Sequence, residues 1–512
     1  MKKKILACIS ILFVTVLCAQ NITDALRYSN DEIHGTARFR ALSGAFGALG
    51  GDMSSVSINP AGSSVFNTSH FTISLSNLNA ITETNYFNGS EKDADAIVDL
   101  NQAGAAFVFN NKREGTQWKK FTIGVAYDKI NDYEKEWFVS GVNTNSSASL
   151  NNSVAAYFLE YANGLRLDEI SRFDGETYAQ AYEDIGNSFG HANQQAFLGY
   201  ESYILEPLDN TDNANTVYNA NIGAGSFNHE YDYKATGFNG KFTMNASTQF
   251  GDNLFLGLNL NTHFINYERY TYLFESNNNT GSIINEIGFE NRLKTTGTGF
   301  SAQLGAIWKL NEQLRLGFTY NTPTWFSIED ETEQYLGTTS YSQPIYNTDI
   351  DPRVLNVFPD YKLKTPGKLM GSIAYVFGNN GLISFDYALK DYSNTKFKPT
   401  SDAYFSNQNK NISNNLTTAS TYKVGGEYRI KQWSIRGGYR FEESPYKNGK
   451  TIGDLTGYSM GLGYNLGKLK LDLTFDTAQQ KSQQAFYDVG FVDTVNVNTK
   501  QYNITTSVSF NL

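Results

Sequence analysis

The sequence predicts an all-β protein: a transmembrane antiparallel β-barrel of about fourteen strands with an N-terminal hatch in its lumen. Three observations carry this reading. The chain opens on a short apolar leader, no later apolar run approaches the ~20 residues of a spanning helix, and apolar and polar residues alternate with period two from turn to turn until the last residue. Aromatic residues make up 14% of the chain, 33 Tyr and 35 Phe against only 9 Pro. A closed barrel is then the remaining way to cross a bilayer, because every backbone polar group in hydrocarbon must be satisfied within the wall.

The first element is a leader. MKKKILACISILFVTVLCAQ carries three lysines, an apolar run from Ile5 to Leu17, and Ala19 before Gln20, the layout of a cleaved secretory signal over residues 1–19. A lipid-attachment reading at Cys18 is weakened by the bulk of Thr15, Val16 and Leu17, so cleavage is placed after Ala19. Both cysteines, Cys8 and Cys18, leave with the leader, and the mature chain must be stable without disulfides. Removing three lysines makes a chain of formal charge −10 more acidic still, which argues against nucleic acid as a partner.

The strands come next. Phe121, Ile123, Val125 and Tyr127 share one face, with Thr122, Gly124, Ala126 and Asp128 on the other; the pattern returns at Leu254–Leu260, Leu314–Tyr320, Trp433–Phe441, Leu469–Phe475 and Tyr502–Leu512. Strands are predicted to begin near Ser69, Gln102, Lys119, Lys234, Asn253, Thr298, Gln313, Gly367, Leu382, Thr418, Gln432, Gly457, Lys468 and Gln501. Soluble sandwiches alternate too, but here tight turns (GDN at 251–253, LNEQ at 310–313, GNNG at 378–381, IKQ at 430–432, LGK at 466–468) alternate with long polar connections. Short turns on one side and long loops on the other are the habit of outer-membrane barrels. An even strand number puts both termini on the short-turn, periplasmic side. The last strand, YNITTSVSFNL with Phe510, reads as the closing strand that the barrel-assembly machinery recognises.

Before the first strand stands ALSGAFGALGGDMSSVSINPAG, from Ala41 to Gly62. It has little with which to build a core of its own. A barrel of about fourteen strands lies between the ~8 that side chains fill and the 16–18 that leave a channel. Residues 20–66 therefore read as a hatch, and residues 67–512 as the barrel, with a long extracellular loop at about 131–233.

An Ala- and Gly-rich N-terminal segment ending in Asn59-Pro60-Ala61-Gly62, followed by fourteen strands, resembles the FadL-type family of outer-membrane transporters for fatty acids and other hydrophobic compounds. RLGFTYNTPTWFSI (315–328) and KTPGKLMGSIAYVF (364–377) also resemble the family's strand starts. The resemblance implies uptake of a hydrophobic solute by passive diffusion: capture at the outer face, a pocket above the hatch, and release when the hatch rearranges. It also implies a kinked third strand opening a lateral route into the bilayer, for which Gly124 is the candidate kink. The Asn59-Pro60-Ala61-Gly62 elbow is assigned to gating, with the alternative that it is the turn leading into the first strand.

Two features depart from the family. The longest connection follows the third strand, and its segments VAAYFLEYANGL (154–165) and YAQAYEDI (178–185) have apolar residues at helical spacing, either a landing site for solute or a cap packed on itself. The predicted lumen face is charged, with Arg315, Asp386, Lys390, Lys423, Glu427, Arg429, Arg436 and Arg440. Arg315, Lys423, Arg436 and Arg440 either contact the hatch or a carboxylate head group, or else line water.

Chemistry-bearing motifs are otherwise lacking in the sequence. Gly44, Gly47, Gly50 and Gly51 make no phosphate-binding pattern, and His34, His70, His191, His229 and His263 have no metal-ligand spacing. The run Glu329, Asp330, Glu331, Glu333 reads as a solvated rim in preference to a calcium site. No cofactor, metal or enzymatic activity is expected. The expected partners are a hydrophobic small molecule, outer-membrane lipid and lipopolysaccharide, and the assembly machinery, around a monomer in a Gram-negative outer membrane. A general diffusion pore and a barrel-anchored surface receptor or adhesin remain as alternatives, and the solute is not specified.

Overall fold

Residues 20–113, 115–342 and 344–512 are described by a computed structural model; the leader read at 1–19 lies outside the described residues. Among them, fourteen strands form the wall: β1 (His70–Tyr86), β2 (Gly89–Asn110), β3 (Trp118–Asp132), β4 (Phe227–Phe250), β5 (Leu254–Ser276), β6 (Glu286–Lys309), β7 (Leu314–Asn321), β8 (Lys368–Val376), β9 (Gly381–Asp391), β10 (Thr418–Ile430), β11 (Trp433–Glu442), β12 (Ile452–Asn465), β13 (Leu469–Ala485) and β14 (Thr494–Asn511). Each pairs antiparallel with its neighbour in sequence, and β14 closes on β1 from His70↔Asn511 to Asn85↔Asn496. Closure leaves no edge strand, which is what a wall in lipid requires.

Alternation sets which face is wet. On β3, Phe121, Ile123 and Val125 are exposed to the lipid side while Thr122 and Asp128 are buried inside; on β11, Trp433 and Ile435 face out and Arg436 and Arg440 face in. Aromatic pairs cluster at both ends of the outward apolar band: Trp118–Phe250 and Trp433–Tyr464 at the short-turn end, Tyr127–Phe242 and Tyr439–Tyr458 at the other. Such girdles mark the two membrane interfaces.

The outer ends extend beyond the expected boundaries. β2 begins at Gly89, and only residues 87–88 join it to β1. The expected loop at 131–233 is shorter, because Lys135–Asn143 continues the wall upward by pairing with Phe227–Ala235 of β4. Within the remainder lie α4 (Ala155–Ala162), α5 (Tyr178–Phe189) and α6 (His191–Glu201), and another helix, α7 (Ala403–Asn415), follows β9. Phe158, Phe197 and Leu198 are fully buried against Tyr86, Trp137, Phe289, Phe486 and other residues of the strand tips and outer connections. The helices thus pack as a cap over the mouth.

The N-terminal segment comprises α1 (Ile22–Arg27), α2 (Ala37–Ala41), α3 (Met53–Ile58) and a 3-10 turn, Pro60–Val65. Here the expectation that the N-terminal end stays on the short-turn side is corrected for the first described residues. β1 starts on the short-turn side, but the preceding segment climbs the lumen, and Gln20 lies at the outer end. Its Nε2 donates to Asp330, the Tyr404 hydroxyl donates to its carbonyl, and Asn21 donates to Asp488, all from outer connections. The strand count fixes where β1 begins; it does not constrain a segment that rises inside the wall.

Candidate functional site

The Asn59–Gly62 elbow is fastened to the wall toward the short-turn end of the lumen. Asn59 caps the 3-10 turn by accepting from the Ala61 N–H, and its Nδ2 donates to the carbonyls of Gly47 (2.7 Å), Ala306 (3.0 Å) and Phe318 (3.4 Å). Asn245 donates to the Pro60 carbonyl at 3.0 Å. Two wall glycines make this approach possible: a Cβ at Gly257 would stand 2.3 Å from the Pro60 carbonyl carbon, and one at Gly305 would stand 2.0 Å from Asn59 Oδ1.

Charge fastens the rest of the segment to the wall. Arg40 makes a two-pronged pair with Asp476, both bonds 2.8 Å, and Arg38 Nε donates to Glu427 at 2.8 Å. Glu427 also accepts from Arg436 (2.7 Å) and Arg429, and Arg436 reaches Asp472. The N–H groups of Phe46 and Gly47 donate to Asp386, and Arg315 donates to the Leu49 carbonyl at 3.0 Å. Breaking one partner of such a buried pair leaves an uncompensated charge. Of the four cations singled out in the sequence, Arg315 bonds the segment directly and Arg436 braces the carboxylate that holds Arg38, whereas Lys423 and Arg440 border a cavity above.

That cavity, about 560 Å³, lies between the elbow and the cap. Its roof is the stretch Leu26–His34, its wall includes Ile97, Ile130, Phe326 and Met370, and its cations include Lys241, Lys368, Lys390, Lys423 and Arg440. Sequence reasoning missed Asp31, Lys241 and Lys368. Lys241 sits in register with the inward residues Thr243 and Asn245 of β4, so continuing that alternation upward would have found it; Asp31 belongs to no periodic element.

The wall beside this cavity is discontinuous. The β2–β3 ladder runs from Asn110↔Lys120 only as far as Gln102↔Asp128. Above it, β2 is joined through side chains to the strand 135–143, with Asp95 accepting from the Glu136 N–H (2.8 Å) and Asp93 from the Phe138 N–H (2.9 Å), and to the end of β3, where Lys129 pairs with Asp99 of β2 and with its own strand's Asp132. Asp95, Ile97, Lys129 and Ile130 also border the cavity. Gly124 sits in unbroken pairing with Ala106 and Asn245, while the register irregularities of β3 against β4 fall at Trp118/Lys120 and Lys129/Asn131. A Cβ at Gly124 would meet the Asn245 side chain at 3.3 Å, so packing accounts for this glycine.

A closed fourteen-strand barrel with a helical segment fastened in its lumen and a cavity above that segment has the architecture of an outer-membrane transport barrel. Residues 210–511 match the family described as outer membrane protein transport protein (OMPP1/FadL/TodX), and the chain belongs to that family of Gram-negative outer-membrane β-barrels. Among solved structures, it is similar to a FadL homologue of Pseudomonas aeruginosa (11% identity, 94% of this chain and 99% of that one, TM-score 0.53). It is also similar to the Pseudomonas putida toluene transporter TodX (11% identity, 94% and 100%, TM-score 0.49). No curated protein matches the sequence.

Proposed function

We propose that this protein takes up hydrophobic small molecules across the outer membrane by passive diffusion, with the N-terminal segment as hatch and the lower edge of the unladdered β2–β3 seam, where Gln102↔Asp128 meets the outer aromatic girdle at Tyr127, as a lateral exit. One observation carries the reading: a cavity of pocket size borders the place where the wall is held by side chains in place of a backbone ladder. Opening that seam would break a few side-chain bonds and leave the ladder below Gln102 intact. A solute leaving there would bypass the buried ion pairs around Glu427 and Asp476. This arrangement favours lateral exit over passage through the base. In the same reading the Asn59–Gly62 elbow holds the hatch closed and responds to a solute above it, and the leader is cleaved after Ala19 during export. The fastened hatch disfavours a general diffusion pore.

The seam can be tested by Asp95→Cys with Glu136→Cys, joined by a short bis-maleimide. Cross-linked protein is expected to bind solute but to lose uptake into cells, while the uncross-linked double variant retains it. Full uptake through the cross-linked seam would sink the lateral route and direct attention to the base.

A further inference from the structure

We propose that four outward-facing lysines at the outer rim of the wall, Lys362, Lys364, Lys396 and Lys398, bind the phosphate groups of lipopolysaccharide in the outer leaflet. The site lies on the lipid side of the barrel and is independent of what passes through the lumen.

Two short strands carry the lysines, Tyr361–Lys364 and Lys396–Lys398. They pair antiparallel, with Lys362 opposite Lys398, Leu363 opposite Phe397 and Lys364 opposite Lys396. Leu363 and Phe397 are buried inside the mouth, so alternation turns all four lysines outward, Lys362 and Lys398 exposed and Lys364 and Lys396 partly so. Directly opposed side chains on one face start from Cβ atoms about 5 Å apart, and like charges in that relation destabilise the pairing. None of the four makes a hydrogen bond or ion pair among the described residues. The acids one step beyond the pair Ile328↔Tyr361, Glu329 and Asp360, make no ion pair with them. In a chain of formal charge −10, this cross-strand quartet of cations is left for an anion from outside.

Position selects which anion. Trp325 is the other cross-strand neighbour of Lys364, with Phe300 opposite it in turn, and both aromatic rings are exposed on the outside. The next outward pair toward the membrane centre is Leu369↔Leu389. Apolar side chains thus face the acyl chains up to an aromatic level of the kind that marks a membrane interface, and the lysines stand where phosphorylated head groups begin. Their stems can lie along the wall while the ammonium groups, point charges suited to phosphate, reach those groups. Lysines also serve to protect a free strand edge, but here that protection is supplied by α7. Its Asn409 accepts from the Phe397 N–H at 2.8 Å and donates to the Phe397 carbonyl at 2.9 Å, which covers the free side of Lys396–Lys398.

The test measures binding of lipid A to the full chain in detergent by native mass spectrometry, comparing lipid A that carries both phosphates with the same lipid A dephosphorylated. Wild type is expected to bind the phosphorylated form more tightly. Lys362→Gln should lower that affinity about fivefold, the worth of one lysine beside an anionic lipid surface. Replacing all four lysines by Gln should erase the preference, and replacing all four by Arg should retain it. Inorganic phosphate, which has no chains to lie on Leu369 and Leu389, should not displace the lipid. Equal binding of the two lipids by wild type overturns the proposal, as does a preference that survives in a heat-modifiable four-Gln variant. Displacement by inorganic phosphate would reveal a site for free anions and overturn the lipid assignment.

Discussion

Asn59 is a fully buried amide that serves three carbonyls, one from its own segment and two from the wall strands β6 and β7. Pro60 beside it has no N–H to satisfy and a fixed φ, so it can lie against the backbone of β5 and β6 where Gly257 and Gly305 leave room. The four-residue motif was legible in the sequence as a compact elbow, but its partners were not, because they lie some two hundred residues away on strands that reveal only which face points inward. Replacing Asn59 and Pro60 together by Ala leaves buried carbonyls without their donor, at about 1–3 kcal/mol. The expected outcome is a barrel that still assembles and shows heat-modifiable mobility, with altered uptake of a hydrophobic solute. If uptake is unchanged in the assembled variant, the motif is a connector and the gate lies elsewhere.

At the level of elements, legibility divides by side of the membrane. Every ascending strand begins within one residue of its expected start: β1 at His70 for Ser69, β3 at Trp118 for Lys119, β5 at Leu254 for Asn253, β13 at Leu469 for Lys468. Descending strands begin earlier than expected in β2, β4, β6, β12 and β14, by thirteen residues for β2 (Gly89 for Gln102). The cause is physical: the short turns sit at the edge of the apolar band, so alternation starts with the strand, whereas above the band the alternation inverts, with Phe227, Tyr231, Ile287, Phe289, Val495 and Val497 turned inward against the cap and polar residues outward, so it does not continue the pattern of the lipid-facing stretch. The hatch and cap escaped periodic reading altogether except for α4 and α5, whose apolar faces made them visible. The last strand was visible for the opposite reason, since its alternation runs to the end. Residues 501–511 pair with β13 on one side and β1 on the other, Phe510 opposite both Leu469 and Phe71. Deleting Gln501–Leu512 would expose two strand edges to hydrocarbon, each unpaired backbone group costing several kcal/mol. No protease-resistant, membrane-inserted barrel is expected from the truncated chain, and recovery of one by protease protection would show that closure lies elsewhere.

Across the whole molecule two structures compete for the role of seal, and their packing tells them apart. The cap shares its core with the strand tips, and a second cluster joins Leu26 and Tyr28 of the N-terminal segment to Phe326, Tyr361, Phe397 and Phe405 around the rest of the mouth. These contacts close the outer end, but they involve elements built on connections. The hatch instead meets the wall itself, with Leu42, Phe46 and Ala48 at zero exposure and buried arginines paired to wall carboxylates. Fourteen strands enclose more space than side chains alone fill, so the hatch, not the cap, should decide whether ions pass. Deleting Gln20–Phe66 is expected to give a heat-modifiable barrel with steady conductance in a planar bilayer. Deleting residues 145–225 should leave conductance at the wild-type baseline, since the fastened hatch remains. Conductance from the cap deletion alone would mean that the buried pairs at Asp476 and Glu427 position the hatch without sealing the lumen, and that the outer helices hold the channel shut.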